Sequence, residues 1–130
     1  MLARGCLVAL AAALLGLCGC AGKLEVNKTV TVEVADYDLI GLQKQSQQQK
    51  VTIDVDAAEP VNILVIDAAA ERGFDNLAPA KQIELAKYGK KTGVKKDSLS
   101  VDVPANTAVT VAVGGGAKRT EVKISISNRK

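Results

Sequence analysis

Residues 51–67 read VTIDVDAAEPVNILVID, and the fold turns on how this stretch is divided. Val51, Ile53 and Val55 alternate with Thr52, Asp54 and Asp56, the period of two that leaves one face of an extended strand dry and the other wet. Glu59-Pro60 then predicts a turn, because proline has no N–H to contribute to a ladder. Beyond it Val61, Ile63, Leu64, Val65 and Ile66 are apolar on both faces, which predicts a central strand covered from two sides.

Reading outward, the same alternation recurs downstream. Leu99, Val101 and Val103 end at Pro104; Val109, Val111 and Val113 end at Gly114 to Gly116; Val122, Ile124 and Ile126 run toward the end of the sequence. Upstream, Leu24, Val26, Val30, Val32 and Val34 alternate with Glu25, Asn27, Thr29, Thr31 and Glu33, with Lys28 interrupting the apolar side as where a strand frays or lies at a sheet edge. The polar run Gln43 to Lys50, QKQSQQQK, predicts a loop. Short β-branched strands separated by turn signals predict an antiparallel sandwich.

Only the segment after Asp67 breaks the alternation. Pro79 to Tyr88 is rich in helix formers, with proline suited to a first turn and Gly89 to the exit, so a short helix is expected there. Lys87, Lys90, Lys91, Lys95 and Lys96, with Gly93 among them, predict a basic, flexible connection into the next strand. Together 68–97 forms an insertion.

Composition narrows the chemistry. Of 130 residues none is histidine or tryptophan, and the aromatic residues are Tyr37, Phe74 and Tyr88. Without an imidazole, histidine acid–base catalysis and Ser-His-Asp nucleophile activation have no proton carrier. Three scattered aromatic rings make little platform for stacking a sugar. A formal charge of +3 across the whole chain gives no case for nucleic acid as a partner.

The remaining motifs read as structure. Ser127 to Lys130 spells Ser-x-x-Lys, read as a terminal strand and tail. Asp36, Asp38, Asp54, Asp56 and Glu59 are the carboxylates worth weighing. Asp54-x-Asp56 starts like a calcium loop but lacks the third ligand and the shaping glycine, so solvated strand positions are expected and no metal. Gly114-Gly115-Gly116 with Lys118 lacks the strand–loop–helix setting of a phosphate loop and is read as a hairpin turn. The lysines from Lys87 to Lys96 are expected to keep a loop solvated, with contact to anionic headgroups as the alternative. No cofactor is expected.

The first residues follow the layout of a secretory leader: Arg4, an apolar block from Leu7 to Leu17, then small residues around Gly19. The block is shorter than the roughly 20 residues of a membrane-spanning helix. Leu17-Cys18-Gly19-Cys20 resembles the bacterial lipoprotein signal, in which an aliphatic residue, a tolerant position and a small residue precede an obligatory cysteine. The resemblance implies that the Cys20 thiolate receives a diacylglyceryl group and that cleavage falls just before it. Cys18 fits badly, because Leu17 would then hold the small-residue position. Ala21 in the position after the cysteine implies, for Gram-negative members, the periplasmic face of the outer membrane. If so, Cys6 and Cys18 leave with the leader and the domain is held by packing alone.

The runs VTIDVDAAEPVNILVID and LSVDVPANTAVTVAV, within 49–127, are similar to small exported bacterial domains of the pre-peptidase C-terminal or GOLD-like kind. That resemblance implies a sandwich serving as an accessory or interaction module, with no catalytic residues to carry over. Where such domains carry aromatic residues after the V-P-A turn, this chain has Thr107-Ala108-Val109-Thr110-Val111.

The expected fold is therefore mainly β: a small antiparallel β-sandwich with one short helical insertion, preceded by a cleaved signal peptide. Residues 1–19 are the expected signal peptide, 20–23 the lipid anchor and short tether, and 24–130 a single domain. The expected function is that of a non-catalytic envelope lipoprotein, held to the bilayer through acylated Cys20 and contacting an envelope protein or polymer. The alternative is a ligand-binding or inhibitory module that uses the 68–97 insertion.

Overall fold

The computed structural model describes residues 24–128. Among them six strands run β1 (Glu25–Val32), β2 (Tyr37–Leu42), β3 (Gln49–Asp67), β4 (Gly89–Val103), β5 (Val109–Gly114) and β6 (Thr120–Ser127). Between β3 and β4 lie two 3-10 turns, Ala68–Glu71 and Phe74–Asn76, and one helix, α1 (Pro79–Glu84). All strand pairing is antiparallel, and the fold is the expected mainly-β sandwich.

The 19-residue β3 belongs to two sheets. Its first part pairs with β6 through 52–57 and its last part with β5 through 62–67, while β4 follows it along the opposite edge. One four-stranded layer is thus β1–β6–β3–β4 and the other β2–β5–β3–β4. Each of the four short loops joins one layer to the other. The β3–β4 ribbon crosses between layers at a corner and folds back on itself: Gly89 at the start of β4 lies against Val101 of the same strand so closely that a Cβ would collide with its side chain.

The corner is built by a mismatch in length. Asp56 pairs with Lys96 and Val61 with Val94, so four residues of β3 face one of β4, and the register shifts again between Val61 and Ile63. Glu59-Pro60 is therefore not a turn but a bulge within one continuous strand. The missing N–H of Pro60 interrupts the ladder, and the chain changes sheet without reversing. On β4 the compensating residue is Gly93, left-handed at φ 66°, whose N–H donates to Asn62 Oδ1 at 3.0 Å.

Between the layers sit Val51, Ile53, Val55, Val61, Ile63 and Val65 of β3, with Val101, Val103, Val109, Val111, Val113, Val122, Ile124 and Ile126 from its neighbours. Each is essentially removed from water, and burial of such a side chain contributes about 1.5–3 kcal/mol. The alternation read from the sequence is this core. Leu64 and Ile66 point the other way and with Phe74 and Ala112 form a second cluster, against which Tyr37, Leu39, Ala70, Ile83, Leu85 and Ala86 pack. The insertion is the lid of that cluster, so one layer is covered on both faces.

Several expectations change. The basic connection 87–96 is no loop: from Gly89 onward it is β4. Its lysines hid the strand because an edge strand that meets water needs little apolar content, and charge on an edge discourages further pairing. Gly114 to Gly116 is not a hairpin turn, since β5 and β6 lie in different layers and do not pair with each other. At Gly115, φ is 74° and any side chain would strike the Tyr37 hydroxyl, so the loop is an inter-sheet arch. β2 escaped the pattern because both its faces are apolar, Ile40 and Leu42 inward, Tyr37 and Leu39 toward the insertion. β1 ends at Val32, before left-handed Ala35, and Val34 is 56% exposed. α1 stops at Glu84, short of the expected Tyr88, because Tyr88 is drawn back to β3.

Phe74 is fully buried and meets Tyr37 edge-on, ring centroids 5.2 Å apart. Phe74→Ala is expected to lower stability by about 3–5 kcal/mol in urea titrations, while Leu77→Ala, on the same insertion but 38% exposed, changes it by less than about 1 kcal/mol.

Candidate functional site

The two outer faces of the sandwich differ. On the β2–β5 side the apolar outward residues are roofed by the insertion. On the β1–β6 side the outward residues are polar and no element among the described residues lies over them, and an open groove of about 800 Å³ crosses all four strands there.

Pairing register arranges the floor of this groove in rows. In one row Lys123 of β6 and Lys96 of β4 flank Asp56 of β3, with Thr29 of β1 beyond Lys123. In the next, Ser125 and Ser98 flank Asp54, with Asn27 beyond Ser125. The Ser125 hydroxyl donates to Asn27 Oδ1 at 2.9 Å. Beneath the rows the buried side chains of Val55 and Ile124 hold the sheet to the core. Period two in VTIDVD and in VKISIS places these groups, as the sequence reading of Asp54 and Asp56 on a wet face expects.

The charges on the floor are uncommitted. Lys96, Lys123, Asp54 and Asp56 enter none of the ion pairs formed among the described residues. Closing a lysine onto an exposed aspartate returns at most about 1 kcal/mol and costs side-chain freedom, so adjacency in register does not force a contact. At the rim, by contrast, Lys28 reaches Asp38 of β2 at 3.3 Å, linking the free edges of the two layers. Lys91 holds Asp97 at 2.9 Å; that hydrogen bond and the Ser98 N–H keep the Asp97 carboxyl below the usual carboxylate range.

The other sequence-marked groups are dispersed. Asp36 Oδ1 accepts from the N–H of Tyr37 in the β1–β2 loop, and Glu59 stands 4.0 Å from Lys118 at the corner. A smaller cleft of about 390 Å³ lies there, bounded by Pro60, Asn62, Gly93 and the glycine arch. The N–H of Gly115 is given to Asp36 O at 2.7 Å, so that donor is not free for an anion. Ser127 ends β6, while Lys130, its partner in the Ser-x-x-Lys reading, lies outside the described residues, as does Cys20. Among the described residues no three His, Cys, Asp or Glu side chains gather as a metal site, and no helix is long and apolar enough to cross a membrane.

The insertion, the alternative binding element of the sequence reading, is latched shut. Asp67, the last residue of β3, accepts from Lys87 Nζ at 2.7 Å and from Tyr88 Oη at 2.8 Å, which clamps the two ends of the excursion together. The Lys87 hydrogen bond, then that of Tyr88, lowers the Asp67 pKa. Lys87 is raised by its hydrogen bond to Asp67, and Tyr88 is raised by burial first and by Asp67 second. The insertion thus closes over the second apolar cluster. No signal in the sequence marked Asp67, because its partners lie some twenty residues away.

No protein-family model matches the chain, and no curated protein matches it.

A carboxylate whose pKa falls on folding stabilises the fold above its unfolded value, near 3.8, and loses that contribution as pH drops through the folded value. Raised Lys87 and Tyr88 lose theirs as pH climbs past about 10. The latch is therefore expected to be intact between those limits and to fail beyond either. Urea midpoints measured from pH 2 to 7 should fall on the acid side for the parent chain and fall less for Asp67→Asn.

Proposed function

We propose that this chain is a non-catalytic, lipid-anchored module of a bacterial cell envelope that binds its partner through the outer face of the β1–β6–β3–β4 layer. The single observation that carries the reading is the asymmetry between the faces: the apolar one is sealed by the protein's own insertion, and the polar, grooved one is left to solvent with four uncommitted charges. An antiparallel sheet can leave one face wet without penalty, and small side chains with unpaired charges there can exchange water for a ligand.

The anchor half of the reading rests on the lipoprotein-like Leu17-Cys18-Gly19-Cys20. Ala21 to Lys23 separate Cys20 from Leu24, three residues whose fully extended reach is roughly 10 Å. Leu24 N donates to Asn128 Oδ1 at 2.9 Å, so Leu24 is already tied to the sandwich, and the groove residues Asn27 to Thr29 follow three residues later, roughly 10 Å along an extended strand. Several acyl chains on Cys20 would hold it at the bilayer permanently. Binding rather than turnover is the reading because the chain has no imidazole to carry a proton and the groove's carboxylates share an open surface with lysines and hydroxyls.

In cells, the full chain is expected in the membrane fraction with an acylated N-terminal Cys20 by mass spectrometry, and Cys20→Ala is expected to move it to the soluble fraction. A photo-crosslinking residue at Thr29 or Ser98 should yield envelope adducts that one at Glu84, exposed on α1, does not. Adducts from Glu84 alone would reject the groove in favour of the insertion.

A further inference from the structure

Taking that face as the binding surface, we infer that its occupant is a short peptide with free ends, about two residues long, whose ammonium sits on the Asp54 row and whose carboxylate sits on the row of Lys96 and Lys123. The inference rests on how charge is distributed across the groove. The row of Lys123, Asp56 and Lys96 carries a net +1, and the adjacent row of Ser125, Asp54 and Ser98 a net −1. The remaining lining charges, Lys28 and Asp97, are already engaged by Asp38 and Lys91. The groove lining is therefore neutral in sum but polarised along the strands, and its complement is a zwitterion rather than an anion or a cation.

The spacing selects the size. Adjacent rows lie two residues apart on each strand, about 7 Å at roughly 3.4 Å per residue. An extended dipeptide spans roughly 7 Å between its ends. A single amino acid is too short to touch both rows, and a long chain carries its two terminal charges past them. The hydroxyls of Thr29 and Ser98 flank the ends and can donate or accept. No aromatic side chain lines the groove, so the alternative of a stacked sugar lacks its platform. A polyanion would meet Asp54 and Asp56 at the centre of the floor and be repelled.

Because the contacts are exposed, affinity is expected in roughly the millimolar range. The test uses the isotope-labelled full chain in detergent micelles and three probes: alanylalanine, its N-acetyl derivative and its C-terminal amide. Alanylalanine is expected to shift the backbone amide resonances of Asn27 to Thr29, Asp54 to Asp56, Lys96 to Ser98 and Lys123 to Ser125. Blocking either end should weaken binding about fivefold, the effect of losing one exposed charge contact. Asp54→Asn should reduce the preference for a free amino end and Lys96→Gln with Lys123→Gln the preference for a free carboxyl end. Lys90→Gln, which changes charge outside the groove, should change neither. Equal shifts from all three probes would overturn the zwitterion while leaving the face as a peptide-binding surface. Shifts confined to other residues, or none up to about 10 mM, would also overturn it, and adducts from Thr29 and Ser98 would then still report on the face itself.

Discussion

The corner in β3 is the constraint on which the other features depend. A sandwich needs two sheets whose apolar faces meet, and this chain takes both from one 19-residue strand that changes layer at Ala57 to Pro60. Four residues of β3 opposite one of β4 are too many for a ladder and are accommodated by a bend. Once the strand has bent, Val51, Ile53 and Val55 face Val61, Ile63 and Val65 across the interior through the same backbone. β4 must follow the bend, which is why it needs left-handed Gly93 and a glycine at position 89, where it passes beneath Val101.

That geometry sets the difference between the faces. Leu64 and Ile66 lie beyond the corner, where β3 is apolar on both sides, and would be exposed on the outer surface without cover. The insertion supplies it with Phe74, Ile83 and Leu85, and Asp67 with Lys87 and Tyr88 closes its neck. Before the corner, β3 is strictly alternating, its outward residues are Thr52, Asp54 and Asp56, and no cover is needed. The groove and the covered face are thus two consequences of one change of pattern within a single strand.

Much of this was legible in the chain. Alternation marked five of the six strands at least in part, and Pro79 marked the start of α1. It placed Asp54 and Asp56 on the wet side, where they line the groove. What escaped were places where neighbours decide. β2 has no polar face to signal a strand, because its outer side meets the insertion. Lys90 to Lys96 look like a loop until β3 offers them a ladder. Pro60 looks like a reversal, and Gly114 to Gly116 like a hairpin, until the layers show that both carry the chain from one sheet to the other. The groove itself was invisible, since Lys96, Asp56 and Lys123 stand far apart in sequence and meet only through register.

By itself the sequence determined which side of each alternating strand would be dry, and with it the mainly-β class and the composition of the core, because period two is a property of an extended backbone and of nothing else in the chain. Only the tertiary structure decided which strands would be neighbours, where the sheet would turn and which face would stay open. Those outcomes depend on hydrogen bonds between distant segments, whose partners are selected by packing of the whole core and are written into no single stretch.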